Sequence, residues 1–218
     1  MQRIVFFGWL RLALGALGAV ALGFQAYRSA GDGTLDNFFS YFTVLSNMAG
    51  VVVLLAMGGA ALLGTRDVPD LVRGAVVLYL AITGIIYQAL LADLQGGGQS
   101  IPWVNRVLHQ LLPIVAVVYW LTDPPRQRID LSGAARWLAF PLVFLAYSLI
   151  RGPLVGGWYP YPFLDPGKAG GYGGVAARCL GITVAFVVVA ALLTWLGNVR
   201  RRDLDRRVLT TAGSLPRI

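Results

Sequence analysis

The sequence predicts an all-α integral membrane protein, a bundle of six transmembrane helices. Three observations carry that prediction. The 218 residues are 57% hydrophobic and only 13% charged. Mean hydropathy is +0.68, far more apolar than an ordinary soluble domain. Apolar runs matching the roughly 20 residues that cross a bilayer at about 1.5 Å rise each recur six times between short breakers.

Taken in order, the first run covers 4 to 28. Arg3 precedes it, as in a signal peptide, but the run is too long for a typical secretory apolar core, so it is read as a helix. "SAGDGTLD" ends it. The second run, 37 to 64, opens on "NFFSYFTVLSN", and "GTRDVPD" separates it from the third, 70 to 93. The fourth, 102 to 122, follows "LQGGGQSIP", and the fifth, 134 to 151, follows "TDPPRQRIDLSG". The longest breaker, "GPLVGGWYPYPFLDPGKAGGYGG", leads into the sixth run, 175 to 198. Glycine and proline dominate these connections because they end helices. The domain reading is a six-helix transmembrane domain over residues 1–199 and a basic cytoplasmic tail over 200–218.

The net charge of +8 is placed for topology, not for nucleic acid. With the N-terminus inside, the inner segments hold Arg3, Arg66, Arg73, Arg126, Arg128, Arg136, Arg200, Arg201, Arg202, Arg206, Arg207 and Arg217. The outer segments hold Arg28, Arg106, Arg151, Lys168 and Arg178, and Arg11 lies within the first run, placed either to snorkel inward or to pair inside the bundle. Basic residues are retained on the cytoplasmic side during insertion. The expectation is a multi-pass protein of the plasma (inner) membrane with both termini cytoplasmic. Nucleic acid is excluded as a partner, and membrane lipid is the expected surrounding. One cysteine, Cys179, excludes an internal disulfide, and one histidine, His109, excludes bis-histidine haem or a His/Cys metal cluster. No cofactor and no metal are expected; oligomeric state is left open.

Polar residues converge at one depth. Thr43 lies about six residues into the second run, roughly 9 Å, and His109 about seven into the fourth, roughly 10 Å. Tyr87 and Gln88 near the end of the third run and Tyr147 and Ser148 near the end of the fifth reach the same level. Hydrocarbon offers no hydrogen-bond partner, so such groups pair with one another or line a cavity. A threonine hydroxyl becomes a nucleophile when a nearby base takes its proton, and neutral imidazole does so near pH 7. Thr43 and His109 therefore form a candidate dyad. Asn47, one turn below Thr43, is a candidate oxyanion donor, with Arg106 and Arg151 as further candidates. Tyr87, Gln88 and Tyr147 are candidate substrate contacts. The chain has no glutamate; the aspartate nearest by depth to orient the imidazole is Asp93, and a backbone carbonyl or Tyr87 would serve instead. Against these roles, Thr43 could bond the Phe39 carbonyl one turn back. His109, Ser46 and Asn47 could be helix-packing groups.

The pairing of "YFTVLSN" in the second run with "NRVLHQLLP" in the fourth resembles the androgen-induced gene family of multi-pass membrane hydrolases. The late "YPYPFLDP", Tyr159 to Pro166, is similar to that of small bacterial integral-membrane relatives. The resemblance implies that Thr43 is the nucleophile and His109 the base. It also implies a lipid-like ester substrate, of the kind formed between a fatty acid and a hydroxy fatty acid.

The loop around Trp158, Tyr159, Tyr161 and Phe163 suits headgroup depth. Its length favours a lid over the pocket, and an aromatic belt joining two helices is the plainer reading. The rival function is a small-solute transporter or lipid-binding protein whose polar cluster holds a ligand without reacting. A third is a subunit stabilising a partner complex. The arginine split predicts that membrane-impermeant thiol reagents reach cysteines introduced at 159–174 and 96–100 in intact cells, but not at 126 or 202. Labelling at 202 from outside would reverse the orientation.

Overall fold

The computed structural model describes residues 2–92 and 101–213, with side chains through Arg206. It is an all-α bundle containing six helices long and apolar enough to span a bilayer. These are α1 (Gln2–Gly31), α2 (Phe42–Leu63), α3 (Asp70–Leu91), α4 (Pro102–Thr122), α5 (Leu131–Leu154) and α6 (Gly171–Gly213). The end carrying Arg66 and Arg126 is called here the arginine end, and the end carrying Tyr161 the loop end.

Several boundaries differ from the sequence reading, and at three helix starts the difference has a local reason. α2 begins at Phe42, not near 37, because a four-residue helical turn, Leu35–Phe38, precedes it and Tyr41 is extended, at φ −92° and ψ 132°. α5 starts at Leu131 because Asp130 caps it, its carboxylate accepting the Gly133 N–H at 2.7 Å. That bond and one from the Ser132 hydroxyl hold the Asp130 carboxyl below its ordinary range. α6 starts at Gly171 and runs without a break through position 200, where the tail is expected to begin.

α3 is the hub. It packs on α2, α4 and α6, and its residues Val76 to Thr83 are buried without interruption. A helix buried on all sides marks the centre of the bundle. α1 lies along α2 through glycines: a Cβ at Gly58 would stand 2.9 Å from the Gly8 carbonyl oxygen, so only the bare backbone permits this approach. Two tryptophans tie the outer helices to the centre. Trp120 of α4 donates to the Leu193 carbonyl of α6, and Trp137 of α5 donates to that of Leu71, both at 2.8 Å. The Trp137 ring fills the space over Gly74, where a Cβ would be only 2.1 Å away.

At the arginine end, charges are joined rather than merely exposed. Asp123 accepts Arg11 at 2.7 Å and Arg73 at 3.2 Å, while Arg73 also reaches Asp70 at 3.1 Å. Arg11 lies over the Tyr119 ring, 5.2 Å from its centroid. Of the two expectations for Arg11, pairing inside the bundle is the one the structure shows. The Arg73 side chain is only 4% exposed, whereas that of Arg126, paired with Asp67 at 2.6 Å, is 63% exposed. Removing a buried partner strands the opposite charge and costs about 3–5 kcal/mol, while an exposed pair contributes about 0–1 kcal/mol. Arg73→Leu is therefore expected to lower the melting temperature in detergent sharply and Arg126→Ala hardly at all; equal shifts would remove the Arg73 network from its structural role.

Candidate functional site

The site begins with a proline. Pro113 of α4 has no N–H, and the turn before it, Val107–Leu111, is a π-helix in which the Leu112 N–H bonds to Val107, five residues back. Leu108 thereby loses its ordinary donor, and the donor a π-turn would substitute is the one that Pro113 lacks. The Asn47 amide of α2 fills the vacancy. Its Nδ2 donates to the Leu108 carbonyl at 3.1 Å and to the Thr43 carbonyl at 2.8 Å. Because both partners are carbonyls, the amide orientation follows from the network.

α3 carries a matching π-turn, Tyr87–Leu91, closed by the Ala92 N–H on the Tyr87 carbonyl at 2.8 Å. The two turns face each other. The Tyr87 ring stacks on the His109 ring with centroids 4.2 Å apart and an interplanar angle of 29°. Asn105 serves both: its amide donates to the Tyr87 hydroxyl at 2.6 Å, and its carbonyl lies 3.2 Å from His109 Nδ1. A carbonyl only accepts, so a neutral His109 carries its proton on Nδ1 and leaves Nε2 as a free acceptor. Of the three groups considered for orienting the imidazole, the backbone carbonyl and Tyr87 are the ones in contact with it. Asp93 lies outside the described residues.

Thr43 sits in the first turn of α2, where backbone N–H groups have no intrahelical acceptor. The Tyr161 phenol, returning from the loop between α5 and α6, supplies one. Its oxygen accepts the Thr43 N–H at 3.2 Å and lies 3.3 Å from Thr43 Oγ1. The i−4 bond to Phe39 expected of a mid-helix threonine does not form, because Phe39 precedes the helix. Burial pushes the Tyr161 phenol up to about 12, against the opposing pull of its Thr43 hydrogen bonds. It is therefore protonated at neutral pH and can donate. Ser46 completes the cluster, donating to the Thr43 carbonyl at 3.1 Å and lying 2.9 Å from the Thr83 hydroxyl of α3.

Thr43, Thr83 and Tyr161 open on an apolar chamber of about 150 Å³, walled by Phe42, Ile82, Phe144 and Phe186 among others. Apolar walls around a space of this size accept apolar ligands. Leu142 on α5 and Thr183 on α6 line the chamber while being exposed on the bundle surface, so it also opens sideways between those helices. The wall does not include His109.

The predicted site residues thus divide. Asn47 links the segments bearing Thr43 and His109, but no direct hydrogen bond joins those two side chains. Both Asn47 amide hydrogens are engaged by main-chain carbonyls, which leaves none for an oxyanion. Tyr147 bonds Ser40 at 2.8 Å, and Arg151 donates to Asn37 at 2.9 Å beneath the Trp158 ring. Gln88 and Arg106 are on the exposed surface. Sequence reasoning treated Tyr161 as an interfacial aromatic and did not single out Thr83 or the π-turns. The signal for the turn was legible: a proline four residues after His109 removes a helical donor.

Comparison of the chain with protein-family models, with characterised proteins and with solved structures finds no match in any of the three.

A buried carbonyl left without a donor costs about 1–3 kcal/mol. Asn47→Leu is expected to destabilise by that amount. Pro113→Ala, which restores an N–H near Leu108, should recover part of the loss in the double variant. Strict additivity in thermal or denaturant unfolding would disconnect Asn47 from the proline.

Proposed function

We propose that the protein is an intramembrane hydrolase of acyl esters, with Thr43 as nucleophile and His109 as base. The observation that carries this reading is the Thr43 hydroxyl on the wall of an apolar chamber, at a helix N-terminus and beside a protonated phenol. An acyl chain fits the chamber, and an ester carbonyl at its polar edge lies next to Oγ1. In the orientation argued from the arginines, both termini are cytoplasmic in the plasma membrane and the chamber belongs to the outer leaflet.

The step follows from the groups present. Thr43 Oγ1 attacks the ester carbonyl while its proton passes to His109 Nε2, the ring nitrogen left free by the Asn105 contact. The Tyr161 O–H stabilises the developing oxyanion in place of Asn47. The imidazolium then returns the proton to the departing alkoxide, and water repeats the sequence on the acyl-threonine. For the first transfer the Thr43 hydroxyl has to leave Tyr161, 3.3 Å away, for an imidazole that lies off the chamber wall.

A second reading, non-catalytic binding of an amphiphile, is favoured by the separate hydrogen-bond partners of Thr43 and His109. Activity separates the two. Thr43→Val keeps side-chain shape and is expected to abolish ester turnover and labelling by a fluorophosphonate while the protein stays folded. Thr43→Ser is expected to retain part of both. His109→Ala is expected to lower turnover by roughly 10²–10⁴, and wild-type activity falls at acid pH as the imidazole takes up a proton. Undiminished turnover in Thr43→Val would leave only the binding reading.

A further inference from the structure

A second hollow adjoins the chamber. A groove of about 530 Å³ runs between α3 and α6, and its walls are apolar apart from Lys168 and Arg178. Ile86, Leu91, Phe163 and Ile182 border both groove and chamber, so the two are contiguous. The hollows differ in character: the chamber has hydroxyls and no charge, while the groove adds two cations at one side.

The cations are available. Lys168, 69% exposed, reaches Asp165 at 3.4 Å, and Arg178 makes no ion pair among the described residues. Arg178 lies seven residues into α6, about 10 Å along the helix. Its side chain is exposed on the bundle surface beside the apolar groove, where lipid rather than water is the neighbour, and a bound anion offsets the cost of the charge there. The planar guanidinium fork matches two phosphate oxygens at once, and an ammonium adds a third contact as a point charge.

We propose that the groove binds an anionic phospholipid, its phosphate held by Arg178 and Lys168 and one acyl chain led past Ile86 and Ile182 into the chamber. This builds on the reading that the chamber takes an acyl chain, but not on Thr43 being a nucleophile. It assigns the ligand a class, a phosphate-bearing lipid with a net negative headgroup.

The test uses the full-length protein in detergent, exposed to equal amounts of phosphatidylglycerol and phosphatidylcholine with the same acyl chains. Bound lipid is read by native mass spectrometry. Phosphatidylglycerol is expected to be retained over phosphatidylcholine by roughly tenfold. The K168Q/R178Q variant, altered only at exposed side chains, is expected to bring the two to near parity, whereas R28Q leaves the preference intact. Ile182→Trp narrows the passage and is expected to reduce retention of both lipids. Equal retention by the wild type, or a preference surviving in K168Q/R178Q, would overturn the proposal. So would displacement of the lipid by millimolar inorganic phosphate alone, which would make the groove an anion site without a chain. Undiminished ester turnover in Thr43→Val, with phosphatidylglycerol still preferred by the wild type, would fail the hydrolase reading alone, and equal retention of the two lipids by a wild type that turns over esters would fail this one alone.

Discussion

The Asn47 amide answers a problem that hydrocarbon makes severe. Pro113 leaves the Leu108 carbonyl without a helical donor, and hydrocarbon offers none to replace it. Asn47 Nδ2 does so from a neighbouring helix while holding the Thr43 carbonyl with its other hydrogen. The π-turn therefore persists, and its register sets the direction of His109, the stacking on Tyr87 and the place of Asn105. Much of the polar cluster follows from one missing N–H on α4 and its replacement from α2.

The two ends of the bundle solve the same problem differently. At the arginine end, full charges neutralise one another: Asp123 stands between Arg11 and Arg73, and Asp70 backs Arg73. In the cluster around Thr43 at the loop end the groups are neutral: threonine and serine hydroxyls, an amide, phenols and an imidazole. Neutral groups cost less to desolvate and can exchange partners without stranding a charge. A reactive site needs that freedom, and a structural clamp does not. The chamber opens beside these neutral groups, away from the paired charges of the arginine end.

Tyr161 shows how a connection becomes part of the site. The loop between α5 and α6 returns over the bundle, and Tyr161, Phe163 and Leu164 enter the chamber wall. Its phenol satisfies a first-turn N–H of α2 that the helix itself cannot satisfy. The lid and aromatic-belt readings of the loop meet in this residue, which joins helices and covers the chamber at once. Trp158, in contrast, stays with Arg151 and Tyr41 at the rim.

By itself the sequence determined the six spans, their order and the level at which polar residues gather. Spanning length depends on local apolar content summed along the chain, and depth follows from helical rise, so neither needs knowledge of a neighbour. Arg73 was legible as a topological signal but not as a buried clamp, because its partner Asp123 lies on another helix. Only the tertiary structure decided that Thr43 meets Tyr161, 118 positions away, while His109 meets Tyr87 and Asn105. Those pairings depend on the rotation of each helix about its axis and on where a long loop lands. Many weak packing contacts distributed over the whole bundle set both, and no short stretch of sequence contains them.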